Sequence, residues 1–272
     1  MLPPPFLTLH RPAIPAADEG RWQHLADVVQ QGRGEVLPYD LVMPRWQFLS
    51  LLVDTMPVLL HGSSNPDISE FRASRPVDVD EFSSQHAVYA ASDGVWPIYF
   101  AIVDRTRVGS LLNACFTLLD GEDEGGPRYY FFSIEQAALA SRPWRAGTIY
   151  VLPRRSFVPQ PPGRIGGHRV RVQQWATAEP VRPLARLPVG PADFPLLGSV
   201  LPHDPALVRE RSAREPDGFP WLDEPAQPTG PTGDPVRPRL AAAPAGCQGW
   251  VLGLVAVKEV VDEVRDERAD LR

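Results

Sequence analysis

The chain has 272 residues, enough for one well-packed domain with appendages, because folded units usually contain about 100 to 200 residues. Its net charge of −6 lacks the basic balance that non-specific nucleic-acid binding usually requires, so nucleic acid stays open as a substrate but has no support from charge. The longest apolar runs are well short of the roughly 20 residues that span a bilayer, which predicts no membrane helix and no membrane partner.

Compartment and metal binding can also be addressed from composition. The first 15 residues lack the basic start and the continuous apolar core of a secretory signal, so we expect a cytoplasmic protein. Cys115 and Cys247 belong to no CxxC pair or Cys/His cluster, which argues against a disulfide framework and a structural zinc site. We therefore expect no metal.

The 32 prolines and 21 glycines predict a loop-rich α+β protein, because proline interrupts helices and is kept out of central strands. Residues 16–35 carry apolar side chains at helical spacing, which predicts an amphipathic helix. A second helix is predicted over 44–56, with its proline in the first turn, and leads into a short strand over 57–64. We expect residues 1–56 to form a helical segment packed on the core.

The middle of the chain is predicted to be rich in strands. A strand at 87–91 precedes a helix over about 94–104, for which Asp93 is the predicted N-cap. Further segments are aromatic, β-branched or alternating, and turns rich in Gly and Pro separate them. We therefore expect consecutive antiparallel strands at 128–134, 147–154, 168–176 and 181–189.

The pattern changes after residue 190. Short helices are predicted at 191–197 and 204–215. Residues 223–246 are too rich in Pro, Gly and Ala to pack, which predicts a linker, and the charged residues 257–272 are expected to form a solvent-facing helix or a tail. The linker and tail together make a third region, 223–272.

Familiar catalytic motifs are missing from the sequence. It has no GxSxG, P-loop or HExxH motif, and no GxGxxG motif in a suitable context. Hydrolase, phosphate-loop, zincin and Rossmann functions therefore have no support.

Three short segments carry side chains suited to ligand binding. His61 and Gly62 end a predicted strand, where an imidazole and an open backbone could hold a polar ligand. Tyr89 and Phe100 lie eleven residues apart, on a strand and a helix, so their rings could sandwich a flat ring. Glu179 precedes a proline that favours extended backbone, so its carboxylate could be held at a sheet edge. Each segment also fits an ordinary role, as a strand end, core aromatics or a surface turn.

Taken in this order, the three segments resemble the His-Tyr-Glu signature of the diphtheria-toxin and poly(ADP-ribose)-polymerase-like branch of ADP-ribosyltransferases. The resemblance covers roughly residues 57–190, and most of it lies between "LLHGSSNPDISEF" and "AVYAASDGVWPIYFAIVDR". It implies an ADP-ribosyltransferase-like split antiparallel β-sandwich with N-terminal and peripheral helices. The catalytic domain would then occupy residues 57–222.

The resemblance also implies roles for individual residues. In such enzymes the substrate NAD is cleaved between nicotinamide and ribose, through a transition state that places positive charge on the ribose. His61 would hydrogen-bond the ribose, and the backbone of Gly62 would receive the nicotinamide carboxamide with Ser63 in support. Tyr89 and Phe100 would stack on the nicotinamide ring.

The remaining implied roles concern charge. Glu179 would bind a ribose hydroxyl and stabilise the cationic ribose. Phe100 stands where the family commonly has tyrosine, and Tyr99 is the alternative if the helix phase differs by one residue. Arg72 and Arg75 could meet the NAD diphosphate, since guanidinium groups pair well with phosphate, or they could be solvent-facing loop charges.

We therefore expect an NAD-dependent mono-ADP-ribosyltransferase, because a single domain of this size favours adding one unit over building a polymer. The acceptor could be protein, nucleic acid or a small molecule, and a toxin or a housekeeping modifier would both fit. A catalytically silent module that binds NAD or ADP-ribose is the main alternative. An RNA 2'-phosphotransferase on a related fold, or a scaffold without NAD chemistry, would also fit the elements.

Overall fold

A computed structural model of the protein describes residues 5–10, 12–74, 82–119, 126–165, 167–216 and 218–222, and the backbone of 255–257. Within these residues the chain forms two seven-stranded sheets with few helices. This architecture confirms the predicted α+β class. No helix in the described ranges is long and apolar enough to cross a membrane.

Five α-helices are described: α1 (Glu19–Gln31), α2 (Arg45–Thr55), α3 (Trp96–Ile102), α4 (Gln136–Ala140) and α5 (Pro205–Arg214). The strands in the described residues are β1 (Leu7–Thr8), β2 (Glu35–Val36), β3 (Val58–Ser63), β4 (Val88–Ala91), β5 (Ser110–Leu118), β6 (Tyr129–Glu135), β7 (Gly147–Pro153), β8 (Val158–Pro159), β9 (Gly163–Ile165), β10 (His168–Val172), β11 (Gln174–Thr177), β12 (Ala185–Val189), β13 (Leu201–His203) and β14 (Val255–Val257).

The strands are shared between two sheets. Sheet A has the order β1-β6-β5-β10-β9, with β13 added to β6 and β14 added to β5. Sheet B has the order β2-β12-β7-β3-β4-β11-β8. The pairing is antiparallel except for β12 with β2 and β13 with β6, which are parallel. The main core contains side chains of α1, α2, α3 and both sheets.

The predicted helices are found with small shifts. α1 and α2 lie inside the predicted ranges, and Pro44 directly precedes α2 instead of lying in its first turn. α3 is shorter than predicted, and its N-cap residue is Val95 and not the predicted Asp93, although Asp93 Oδ1 accepts the backbone N–H groups of Val95 and Trp96 at 2.8 and 2.6 Å. α5 is confirmed, whereas residues 191–197 form only short 3-10 turns.

The strand prediction was partly wrong. Residues 168–176 form two strands in different sheets, because the chain crosses from sheet A to sheet B at Gln173. The strand predicted over 181–189 begins only at Ala185, and the long strand β5 was not predicted. β6 and β7 also belong to different sheets, so the strands are not simply consecutive neighbours. The predicted linker, and the predicted tail except Val257, lie outside the described residues.

Helix α3 is seated directly on the backbone of sheet B. A Cβ atom added to Gly62 on β3 would lie 1.8 Å from the carbonyl oxygen of Pro97, and one added to Gly147 on β7 would lie 2.1 Å from that of Ala101. Both distances are far below van der Waals contact, so only glycine allows the helix to approach this closely. We call the face of sheet B that carries α3 the inner face.

The other side of α3 is bound to sheet A by polar contacts. The indole N–H of Trp96 donates to Asn113 Oδ1 at 2.6 Å, and the hydroxyl of Tyr99 donates to the backbone carbonyl of Ser133 at 3.2 Å. Trp96 and Tyr99 are both buried, so their polar atoms need these partners. α3 therefore joins the two sheets.

We expect Gly147→Ala to lower the free energy of unfolding by about 3 kcal/mol, because the new methyl group must displace either α3 or β7. Urea unfolding followed by circular dichroism would measure this change. Gly20→Ala is the matched control, since Gly20 lies in α1 with no atom within 4 Å of the added Cβ. The control should be as stable as the wild type or slightly more stable. Equal stability of the two variants would contradict the close seating of α3.

Candidate functional site

His61 lies on the outer face of sheet B. Alternation along β3 places Leu60 and Gly62 on the inner face, and Leu59 and His61 on the opposite, outer face. His61 Nδ1 lies 2.7 Å from the backbone carbonyl oxygen of Tyr89 on β4. Because a carbonyl oxygen can only accept, Nδ1 carries the proton, and Nε2 of the neutral ring is an acceptor.

This hydrogen bond connects β3 and β4 at the point where the two strands move apart. β3 pairs with β7 along its whole length, from Val58 to Ser63. Among the described residues, the pairing of β3 with β4 is limited to Leu60 and Ala91. The strands separate after this position, and the His61 imidazole links them where main-chain pairing has ended.

The His61 ring is covered by an aromatic side chain from the following loop. The ring of Phe71 lies 4.6 Å from that of His61, between centroids, and Phe71 exchanges two backbone hydrogen bonds with Val181 at 2.8 and 2.9 Å. Burial lowers the pKa of His61, and its hydrogen bond to Tyr89 offsets only part of this effect. The imidazole is therefore neutral near pH 7.

Tyr150 on β7 holds the same loop against the outer face. Its hydroxyl donates to the carbonyl of Asn65 at 2.7 Å and accepts the backbone N–H of Ile68 at 3.0 Å. Its ring packs edge-on against Phe71. Phe71 and Tyr150 were not predicted as part of the site, since a single aromatic in an irregular loop and one strand residue have no periodic signal.

The other residues of the His-Gly-Ser segment have local structural roles. Gly62 points to the inner face, where α3 requires the missing side chain. Helix packing therefore explains why residue 62 is glycine. Ser63 Oγ accepts the backbone N–H of Asn65 at 3.1 Å and stabilises the turn after β3.

Tyr89 lies on the inner face and Phe100 on the helix that covers this face. The Tyr89 hydroxyl is 2.9 and 2.8 Å from the carbonyl oxygens of Phe82 and Gln85, and its ring contacts that of Phe82. Phe100 packs against the rings of Trp96 and Tyr99, each 5.9 Å away, and the guanidinium of Arg105 lies 5.4 Å from its centroid. The two rings thus have different neighbours, and Tyr99, the alternative to Phe100, is fully buried.

Glu179 lies in the turn that follows β11. Its side chain is exposed, and its backbone N–H donates to Thr177 Oγ1 at 3.2 Å. The β4–β11 register pairs Thr177 with Val88, so Glu179 lies just beyond the end of β4 that carries Tyr89. It is also two residues before Val181, the backbone partner of Phe71.

The structure therefore brings the three predicted segments to one edge of sheet B. By this edge we mean the end of the sheet where these strands begin or finish, and not an outermost strand. β3, β4 and β11 are neighbours, and the ends that carry His61, Tyr89 and Glu179 lie together because each neighbouring pair is antiparallel. The side chains of His61 and Tyr89 project to opposite faces, and the hydrogen bond of the His61 imidazole to the Tyr89 backbone carbonyl connects the two residues.

Arg72, one of the two arginines predicted for the NAD diphosphate, lies in the loop after β3. Arg72 is exposed and forms an ion pair with Glu70 at 2.9 Å, and Arg182 approaches the same carboxylate at 3.4 Å. A surface pair of this kind contributes little to stability. Arg75 lies outside the described residues.

Metal ligation and thiol chemistry receive no geometric support from the described ranges. No group of three or more His, Cys, Asp or Glu residues there could hold a metal ion. Cys115 is a free thiol in the core, and burial raises its pKa, with nearby Asp93 adding to the effect. Cys247 lies outside the described residues.

Comparisons of this chain with protein-family models, with curated proteins and with solved structures find no match.

We expect His61 to stay in the Nδ1–H neutral form as the pH falls through about 6.5, where the same ring in the unfolded chain takes up a proton. Long-range ¹H–¹⁵N NMR of the imidazole would show both the tautomer and the lowered pKa. Because the folded state resists protonation, His61 favours folding above pH 6.5, and this contribution is lost as the pH falls toward its folded pKa. A folded-state pKa equal to or higher than that of the unfolded chain would contradict the lowered pKa of His61.

Proposed function

We propose that the protein is an NAD-dependent mono-ADP-ribosyltransferase of the His-Tyr-Glu kind, built on an ADP-ribosyltransferase-like split β-sandwich. The observation that carries the proposal is the arrangement at one edge of sheet B. The three segments of the resemblance lie on the neighbouring strands β3, β4 and β11, and their relevant ends lie together. His61 and Glu179 are more than a hundred residues apart along the chain, so their sequence positions alone do not require them to lie close together.

The protonation of His61 supports its proposed role. With Nδ1–H donated to the Tyr89 carbonyl, Nε2 is the atom that can accept a hydrogen bond from a ribose hydroxyl. Burial keeps the ring neutral, so it does not add positive charge beside a ribose that is itself becoming cationic. A protonated imidazole would oppose the reaction at this position.

The proposed reaction does not need a nucleophilic side chain of the enzyme. The bond between ribose C1' and the nicotinamide nitrogen breaks, and its electron pair goes to that nitrogen, so nicotinamide leaves as a neutral molecule. A nucleophile on the acceptor then attacks C1' and releases its proton to the Glu179 carboxylate or to water. Glu179 would stabilise the cationic ribose by its negative charge.

The packing of Phe71 adds a requirement to this mechanism. Its ring covers His61, and the backbone bridge to Val181 holds it there. A dinucleotide that uses Nε2 of His61 therefore has to displace Phe71 or approach along the edge of the imidazole. The described segment that carries Phe71 would then adjust when NAD binds.

A catalytically silent NAD- or ADP-ribose-binding module is the second candidate. The observation that favours it is the exposure of Glu179, whose carboxylate has no described partner that would orient it toward His61. Catalysis by electrostatic stabilisation depends on preorganised groups, so an unrestrained carboxylate at the edge would serve binding better than turnover.

We expect Glu179→Gln to lower the rate of nicotinamide release from NAD by roughly 10²–10³-fold while leaving NAD binding unchanged, because the amide keeps the shape of the side chain but removes its charge. Chromatography of released nicotinamide and calorimetric titration with NAD would measure the two quantities. Glu210→Gln on α5 is the matched control, since that residue is exposed and pairs with Arg214 away from the site.

Three outcomes separate the candidates. Loss of turnover in Glu179→Gln but not in Glu210→Gln would support the transferase. Wild-type protein that binds NAD without releasing nicotinamide would support the silent module. Wild-type protein that shows neither binding nor turnover would reject both functions.

A further inference from the structure

A cavity lies at the opposite end of β4 from His61 and Glu179. It has a volume of about 420 Å³ and is bounded by α2, β5, β10, the segment that leads into β6 and the N-terminal segment after β1, which includes His10. Gln173, where the chain crosses between the sheets, lines it and accepts a hydrogen bond from Ser92 directly after β4. Cavities of this size hold small organic ligands.

Arg128 lines this cavity and is held by two carboxylates. Its Nη2 lies 2.7 Å from Asp54 Oδ1 and its Nε lies 3.6 Å from Asp93 Oδ2. Burial alone would lower the pKa of Arg128, but Asp93 and Asp54 outweigh this effect and raise it, so the guanidinium is a permanent cation held at a fixed position.

The two carboxylates that hold Arg128 are already satisfied and do not line the cavity. Asp93 Oδ1 accepts the backbone N–H groups of Val95 and Trp96 at the start of α3, and its Oδ2 accepts the hydroxyl of Tyr130 at 2.8 Å. Asp54 is occupied by Arg128. These acids therefore position the cation and do not compete for the space in front of it.

Arg171 brings a second cation to the same cavity from β10. Its side chain is exposed, and the described residues provide it with no acidic or carbonyl partner. The register pairs Arg171 with Thr117 on β5, whose hydroxyl oxygen accepts a long contact of 3.5 Å from Gln173 and keeps its own proton for donation. Three donors thus reach the cavity from three separate segments.

From this arrangement we infer that the cavity binds the phosphate group of a small phosphorylated molecule. Two guanidinium groups and a hydroxyl from different directions suit an anion with several oxygens, whereas a carboxylate is usually satisfied by one planar guanidinium. The half-buried indole of Trp46 forms an apolar wall that remains for the organic part of the ligand. The inference does not rest on the proposed transferase function.

Titration of the full chain with inorganic phosphate and with adenosine monophosphate, by calorimetry at constant ionic strength, tests the inference. We expect saturable binding, and we expect Arg171→Gln to raise the Kd for both probes about tenfold or more, since one of the two cations is lost. Arg164→Gln is the matched control, because Arg164 is an exposed arginine on the neighbouring strand β9 that does not line the cavity. Circular dichroism would verify that both variants stay folded.

The inference is overturned if the wild type shows no saturable binding of either probe in the millimolar range. It is also overturned if Arg164→Gln weakens binding as much as Arg171→Gln, since the effect would then be general surface charge. Acetate competing as well as phosphate would reject the assignment of a phosphate group. Weaker phosphate binding in Arg171→Gln but not in Arg164→Gln would support the inference.

Discussion

The contact between α3 and the backbone of sheet B is the constraint on which the rest of the structure depends. Gly62 and Gly147 provide a surface without side chains, and the helix segment from Pro97 to Ala101 lies directly on it. On its opposite side the same helix is hydrogen-bonded to sheet A through Trp96 and Tyr99. A helix of only seven residues can fix the two sheets because almost all of it is buried.

Because α3 packs on Gly62, the neighbouring residues His61 and Gly62 have two different roles. Gly62 faces the helix and serves the fold, while the next residue toward the N-terminus, His61, faces the other side and is free of the helix. Because side chains alternate along a strand, one short segment can meet both demands without conflict. The edge of sheet B can therefore carry a polar group although its inner face is part of the core.

Local sequence patterns were sufficient to predict the helices and strands whose apolar periodicity is strong. α1, α2 and α3 follow apolar spacing and an identifiable cap, and β3, β6 and β7 are short apolar runs between turn residues. β5 was missed because its run "SLLNACFTL" is buried almost throughout and lacks alternation, with Asn113 interrupting it. The crossing at Gln173 was missed because a single residue in extended backbone gives no local sign of a change of sheet.

The candidate site shows the same limit. The residue types and their order were sufficient to select His61, Tyr89 and Glu179 as candidates. They did not predict the face to which each side chain projects, because that depends on the register of β3 with β4 and β7. Phe71 could not be foreseen at all. Its position depends on a backbone pairing with Val181, more than a hundred residues away in the chain.

Buried charge determines where α3 begins. Asp93 is fully buried, and its two oxygens bind the first N–H groups of the helix, the hydroxyl of Tyr130 and the guanidinium of Arg128. A buried carboxylate is costly unless each oxygen has a partner, so alternative starts of the helix that break these bonds are strongly disfavoured. Shifting the start by one residue would also move Pro97 off Gly62. The electrostatic network at one end of α3 and the glycine contacts along it therefore select the same position for the helix.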